Sequence, residues 1–226
     1  MAGSATGLRP RGPGKAFRVF LLSPADCSRK RAQLLQSPGA GPELGRRIRT
    51  PEGAALGEVF TFVSSLYFRG KLAYARAFAR PPNGLAGIHV ITPCDGLRTP
   101  ETRLRADDLR RYADVSVDAQ EERYRRPLLL DLQALAPGWA GAEVVLLGSI
   151  ASAKYVDLLT GVLGARLFFP TDFVGRGDMS RGGLLLRRVQ EGRELDYVPL
   201  VGAERHGPRP ARLPPRPPTP RSAGEP

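Results

Sequence analysis

Two cysteines, two histidines, two methionines and one tryptophan occur among 226 residues. Cys27 and Cys94 cannot build a disulfide scaffold, and a reducing compartment keeps both as thiols. His89 lies in an apolar, strand-like run and His206 near the C-terminal end, and neither falls at ligand spacing with a cysteine. No metal centre is therefore expected, and no cofactor either. The same scarcity excludes a Ser-His-Asp hydrolase, because there is no nucleophile elbow and no suitably placed histidine. No run of about 18 apolar residues exists, so no transmembrane helix and no membrane partner are expected. Met1 to Lys15 also lack the continuous apolar stretch of a secretory signal, which predicts a cytoplasmic protein.

Lysine is scarce too: of 34 basic residues, four are lysine. Lys15 falls in the N-terminal segment and Lys71 in a helical stretch, whereas Lys30 and Lys154 each follow a predicted strand. A lysine offers a compact, titratable charge that arginine cannot supply. The formal net charge is +12. Residues 1–16 and 203–226 each contribute +3, so half of the surplus belongs to the central part of the chain. Such a surplus favours phosphates or acidic partners, with a nucleotide or nucleic acid as the expected class. Nothing in the pattern sets an oligomeric state.

What is present is an alternation of short β-like runs and helical stretches. Phe17–Leu22, Gly87–Ile91, Glu143–Leu147 and Arg166–Phe169 read as strands, with a fifth at Leu195–Leu200. Between the first two, apolar residues recur at helical spacing from Ala55 to Phe78, and Gly70 is expected to split that stretch into two helices. Arg105–Ala113, Tyr124–Ala136, Ser152–Leu163 and Ser180–Glu191 also read as helices. This order predicts a three-layer α/β/α domain over 17–202 with a mainly parallel sheet. It is flanked by a disordered basic segment (1–16) and a disordered tail from Ala203, which has eight prolines in 24 residues.

Four polar loops are predicted to gather on one sheet edge, as ligand loops do in open parallel sheets. The first, Ser23 to Arg31, joins Cys27, Ser28 and Lys30 at a helix start, which suits an anion and should lower the Cys27 thiol pKa. The second, Thr92 to Glu101, supplies Thr92, Asp95, Gly96 and Glu101 on a loop stiffened by Pro93 and Pro100. Glu101 and Asp95 are its general-base candidates. The third, Gly148 to Tyr155, carries Gly148, Ser149, Ser152 and Lys154, and it lacks the second glycine and the Ser/Thr of a phosphate-binding P-loop. The fourth, Phe173 to Gly183, has four glycines in nine residues together with Arg176, Asp178 and Arg181, the pattern of a backbone wrapped around a ligand.

The run from Pro24 through Cys27-Ser28-Arg29-Lys30, followed by Thr92-Pro93, Gly96-Leu97 and Pro100-Glu101, resembles the uracil-glycosylase-like α/β domain of archaeosine synthases and related uncharacterised bacterial proteins. The resemblance lies within residues 17–105. It implies a nucleobase or modified-base pocket bordered by Cys27, Ser28, Lys30, Thr92, Pro93, Gly96, Pro100 and Glu101. The resulting expectation is a nucleotide-, nucleobase- or nucleic-acid-binding protein acting on a base or an N-glycosidic bond. Lys30 and Arg181 would hold phosphate, Glu101 or Asp178 would exchange the proton, Cys27 would line the pocket as a further catalytic candidate, and Ser28, Thr92, Gly96, Gly148, Ser149, Lys154, Gly175 and Arg176 would bind the ligand. Two alternatives stand beside it: a non-catalytic protein docking through its basic surface and Pro/Arg-rich tail, and a thiol redox protein using Cys27 and Cys94.

Overall fold

The computed structural model describes residues 16–37, 42–151 and 153–211. The expected basic segment before residue 16, the tail beyond 211 and Ser152 lie outside the described residues.

Strand β1 (Phe17–Leu22) is buried over its last five residues. Phe20 and Leu22 face one apolar core, while Val19 and Leu21 face a second. A strand covered on both faces reads as a continuous apolar run, which is what the sequence shows here. Next come α1 (Lys30–Gln36), α2 (Glu43–Arg47), the two-residue β2 (Ala54–Ala55), α3 (Leu56–Ser64) and α4 (Leu66–Phe78), leading to β3 (Ile88–Ile91). β4 (Leu97–Arg98) and β5 (Arg103–Leu104) precede α5 (Ala106–Ala113) and α6 (Glu122–Leu135). The chain continues through β6 (Ala142–Leu147), α7 (Ala153–Leu163), β7 (Leu167–Pro170), α8 (Asp178–Glu191) and β8 (Tyr197–Pro199).

Six strands form one sheet in the order β4-β3-β1-β6-β7-β8, and β2 pairs with β5 in a separate ribbon. β3, β1, β6 and β7 run parallel, with β4 and β8 antiparallel at the two edges. Residues of α1, α3, α4, α5 and α8 build the core on one face, and residues of α6 and α7 build the core on the other. The fold is thus the three-layer α/β/α arrangement expected from the alternation of strand and helix. β3 lies on one side of β1 and β6 on the other, so the chain reverses its direction of winding between β1 and β6. That reversal opens a crevice at the carboxyl ends of both strands.

Two features differ from the sequence reading. The stretch 55–78 divides at Ser65 (φ 52°, ψ −126°) and not at Gly70, which lies inside α4. Gly70 is there for packing: a Cβ on it would come within 2.7 Å of the Gly182 carbonyl oxygen on α8. The edge strand β4 and the β2–β5 ribbon consist of two-residue strands, too short to carry any hydrophobic period.

Candidate functional site

The carboxyl edge of the sheet holds a cleft of about 1040 Å³. It is bordered by the loop after β1 (Ser23 to Arg29), Pro93 after β3, Ser149 after β6 and Asp178 at the start of α8, with the α3–α4 junction and residues 112–117 closing it. All four expected loops therefore reach one edge.

The floor is built around Ser23, the first residue beyond β1 and 6% exposed. Its backbone N–H continues the sheet by donating to the Leu147 carbonyl, which fixes the hydroxyl where β1 and β6 end. Lys71 of α4 lies directly beneath, 1% exposed. Its Nζ donates to the Ser23 carbonyl at 2.6 Å and to Ser23 Oγ at 2.8 Å. The same ammonium position lies over the rings of Tyr67 (4.5 Å) and Phe68 (4.9 Å). Burial is the main force on this amine, and the nearby Arg181 guanidinium adds to it while Asp178 opposes. The outcome is a pKa brought down to about 7.

Two tyrosines complete the floor. Tyr155 of α7 donates its hydroxyl to the Ser149 carbonyl at 2.9 Å and lies close to Ser23. Gly148 permits that approach, because a Cβ there would lie 2.8 Å from the Tyr155 hydroxyl and 2.9 Å from Ser23 Cβ. Tyr67 is 6% exposed, and its hydroxyl lies near Arg181 without a hydrogen bond of normal geometry to any described group. A buried hydroxyl left in that state costs about 1–3 kcal/mol, which a bound polar group would offset.

Charge lies on the rim. Arg29, Arg31 and Lys154 alternate with Asp26, Asp114 and Asp178. Arg29 is paired with Asp26 at 2.7 Å, both well exposed, and Arg31 donates to the Phe62 carbonyl at 2.7 Å. Lys154 is exposed and makes no ion pair among the described residues.

The predicted site residues divide into three groups. Cys27, Ser28, Ser149, Lys154 and Asp178 line the cleft. Gly148, Thr92 and Gly96 shape the loops that border it. The Thr92 hydroxyl donates to the Gly96 carbonyl at 2.8 Å and accepts the Asp95 N–H at 3.0 Å. Gly96 takes φ 69°, and a Cβ there would crowd the Asp131 carboxylate and the Pro127 carbonyl. The third group lies elsewhere. Lys30 is exposed on the first turn of α1 outside the cleft lining, and Glu101 pairs with Arg76 on the open surface. Gly175 packs against the Pro208 carbonyl, while Arg176 borders a separate groove with Arg187 and Arg209.

Three expectations need correction. Cys27 is not an activated thiol. It is 3% exposed, its Sγ contacts the Ala25 carbonyl at 3.6 Å, and burial, aided by the Asp26 charge, pushes its pKa up to about 12. Cys94 also shifts upward, chiefly by burial, which removes the basis for a thiol redox site. Arg181 is not free to hold phosphate, because it is 6% exposed and donates through Nε (3.2 Å) and Nη2 (3.0 Å) to the Phe173 carbonyl. Asp95 is not a base: Arg111 grips it at 2.9 and 3.1 Å and Tyr112 at 2.8 Å. Burial acts to raise the Asp95 pKa, yet these hydrogen bonds overcome it and hold the carboxyl below its ordinary value.

The sequence reading missed Ser23 as a site residue, together with Tyr67, Lys71 and Tyr155. One signal for Lys71 was available: it falls four residues after Tyr67 and four before Ala75, both apolar-face positions of α4. Among the described residues no group of His, Cys, Asp and Glu is placed to hold a metal ion, and no helix is long and apolar enough to cross a membrane. Comparison with known proteins returns no significant match to any family model, curated protein or solved structure.

Proposed function

We propose that the cleft binds a nucleotide, a nucleobase or the end of a nucleic-acid strand, and that the protein acts on the base or its N-glycosidic bond. The observation that carries this reading is where the cleft lies: at the carboxyl ends of β1 and β6, where the winding of the sheet reverses. Open α/β sheets bind ligands at that point. The volume of about 1040 Å³ admits a base with its sugar and phosphate. Lys154, with Arg29 and Arg31, supplies positive charge on the rim for phosphate, and the Tyr67 hydroxyl offers a hydrogen bond from the floor. Asp178, exposed at the start of α8, is the cleft carboxylate for proton exchange.

A thermal-shift screen against nucleosides, nucleotides, deazapurine bases and short RNA tests the reading. Ligand at 100 times its Kd adds about 2.7 kcal/mol, which raises Tm by several degrees. The expected shift survives removal of residues 203–226 and is weakened by Lys154→Ala. A screen without any shift overturns the proposal.

A second reading is favoured by a different observation. Arg176, Arg187 and Arg209 border a groove of about 340 Å³ where residues 209–211 meet α8. Three guanidinium groups there suit an acidic surface and a non-catalytic docking role for the basic tail. RNA binding lost on deleting residues 203–226, but retained with Lys154→Ala, favours this reading over the cleft.

A further inference from the structure

The cleft floor contains a pair that ligand binding alone does not require. We infer that Ser23 is a nucleophile and Lys71 its general base, so that the cleft carries out acyl transfer on an ester or amide through an acyl-Ser23 intermediate. This inference does not rest on the nucleotide reading, and its test uses no nucleotide.

Ser23 Oγ lies 2.8 Å from Lys71 Nζ, within the reach that a nucleophile and its base need. The second Lys71 contact, 2.6 Å to the Ser23 carbonyl, uses one amine hydrogen and orients the nitrogen. A neutral amine held in that way still has a lone pair for the Ser23 hydroxyl hydrogen. Ser23 borders the cleft, whereas Lys71 lies behind it among Tyr67 and Phe68, so a substrate meets the hydroxyl before the amine. Tyr155, whose own hydrogen goes to the Ser149 carbonyl, lies close to Ser23 and leaves the Ser23 hydroxyl hydrogen for the amine.

The surroundings keep the amine available at neutral pH. α8 contributes Asp178 and Arg181, with opposite effects on the proton, and α7 contributes Tyr155. Tyr67 lies on the same helix, α3 presents Phe60 edge-on to Phe68, and β1 ends in Ser23 itself. Burial dominates, and the pKa of about 7 leaves a large neutral fraction near pH 7.5.

The reaction balances without another reagent. Ser23 Oγ bonds to the substrate carbonyl carbon as its proton passes to Lys71 Nζ, and the carbonyl π pair moves onto oxygen. Negative charge develops in the cleft that Ser23 shares with Lys154, whose charge favours it. When the carbonyl re-forms, the bond to the leaving group breaks and Lys71 returns the proton to that group. Water then attacks the acyl-Ser23 carbonyl as its proton passes to the amine; when the carbonyl re-forms the bond to Ser23 Oγ breaks, Lys71 returns the proton to Oγ, and the acid is released.

The test is labelling of the full chain with a fluorophosphonate probe, read by intact mass and peptide mapping. The expected result is one adduct, on Ser23, with a rate rising about tenfold per pH unit below pH 7 and levelling above it. Ser23→Ala should carry no adduct, and Lys71→Met should label at least 100-fold more slowly at pH 8 while keeping its circular dichroism spectrum. If Lys71→Met fails to fold, the wild-type pH profile decides alone. A rate that keeps climbing to pH 10, an adduct on another residue, no adduct at all, or wild-type labelling of a folded Lys71→Met overturns the inference.

Discussion

Gly70 on α4 and Gly182 on α8 face each other across a helix crossing so close that neither has space for a methyl group. A Cβ on Gly70 would lie 2.7 Å from the Gly182 carbonyl oxygen, and one on Gly182 would lie 2.7 Å from the Leu66 carbonyl oxygen. The two backbones therefore touch. That contact sets Lys71, next in sequence to Gly70, close to Arg181 and Asp178, and so determines the charges around the buried amine. Alanine at either glycine gains about 1 kcal/mol of helix propensity. It also overpacks the crossing against backbone atoms that cannot rotate away, at a cost of about 1–3 kcal/mol. Gly70→Ala and Gly182→Ala are each expected to lower the urea midpoint, with the double variant less than additive because one displacement relieves both contacts.

Lys71 should make stability depend on pH. The unfolded chain keeps this proton up to about pH 10.5, whereas the folded protein releases it near pH 7. Between those values unfolding takes up a proton, so stability rises with pH, by at most about 1.4 kcal/mol per unit. Above pH 9 the Cys27 thiol acts oppositely: the unfolded thiol ionises near 9 and the folded one near 12, so stability falls through that range. The clean window is pH 7 to 9. Urea unfolding across it should show a positive slope that Lys71→Met abolishes; an unchanged slope in that variant assigns the effect to another group.

The fold was legible because four strand-like runs alternate with long periodic stretches, and both signals arise from burial on two sheet faces. The location of the cleft was legible for the same reason, since the loops after β1, β3 and β6 must share an edge once those strands run parallel. Its chemistry was not. Ser23, Lys71 and Tyr155 come from three separate elements, and Lys71 is 48 residues from its partner. No local spacing encodes that meeting. Arg181 and Glu101 were misleading because a charged residue in a polar loop reads alike whether it faces ligand, a backbone carbonyl or solvent. Cys27 misled for a related reason: a thiol at a helix start is activated when exposed and silenced when buried, and burial is a tertiary property.

Burial of Cys27 has a direct chemical consequence. A thiol with its pKa near 12 carries about 10³-fold less thiolate at pH 8 than one ionising near 9. Iodoacetamide should therefore modify Cys27 about three orders of magnitude more slowly in the folded protein than in urea. Alkylation of the native chain at the unfolded rate would show instead that the thiol is exposed and activated.

Ser65 stores strain at the wall of the cleft. Its φ of 52° and ψ of −126° lie where a side chain is disfavoured, and it is the one described residue other than glycine with a positive φ. Strain of this kind costs about 1–3 kcal/mol. Glycine relieves it but adds about 0.5–1 kcal/mol of unfolded-state entropy, so Ser65→Gly should stabilise the fold by a fraction of a kcal/mol to about 2 kcal/mol. Ser65→Ala keeps the Cβ and should not. The residue both ends α3 and starts α4, and it borders the cleft with Val63, Ser64 and Tyr67. If that backbone is strained to set Tyr67 and Lys71 under Ser23, the stabilised glycine variant should label more slowly with the fluorophosphonate probe than Ser65→Ala. Equal labelling with a raised Tm would separate the strain from the site and leave it as a property of the helix junction alone.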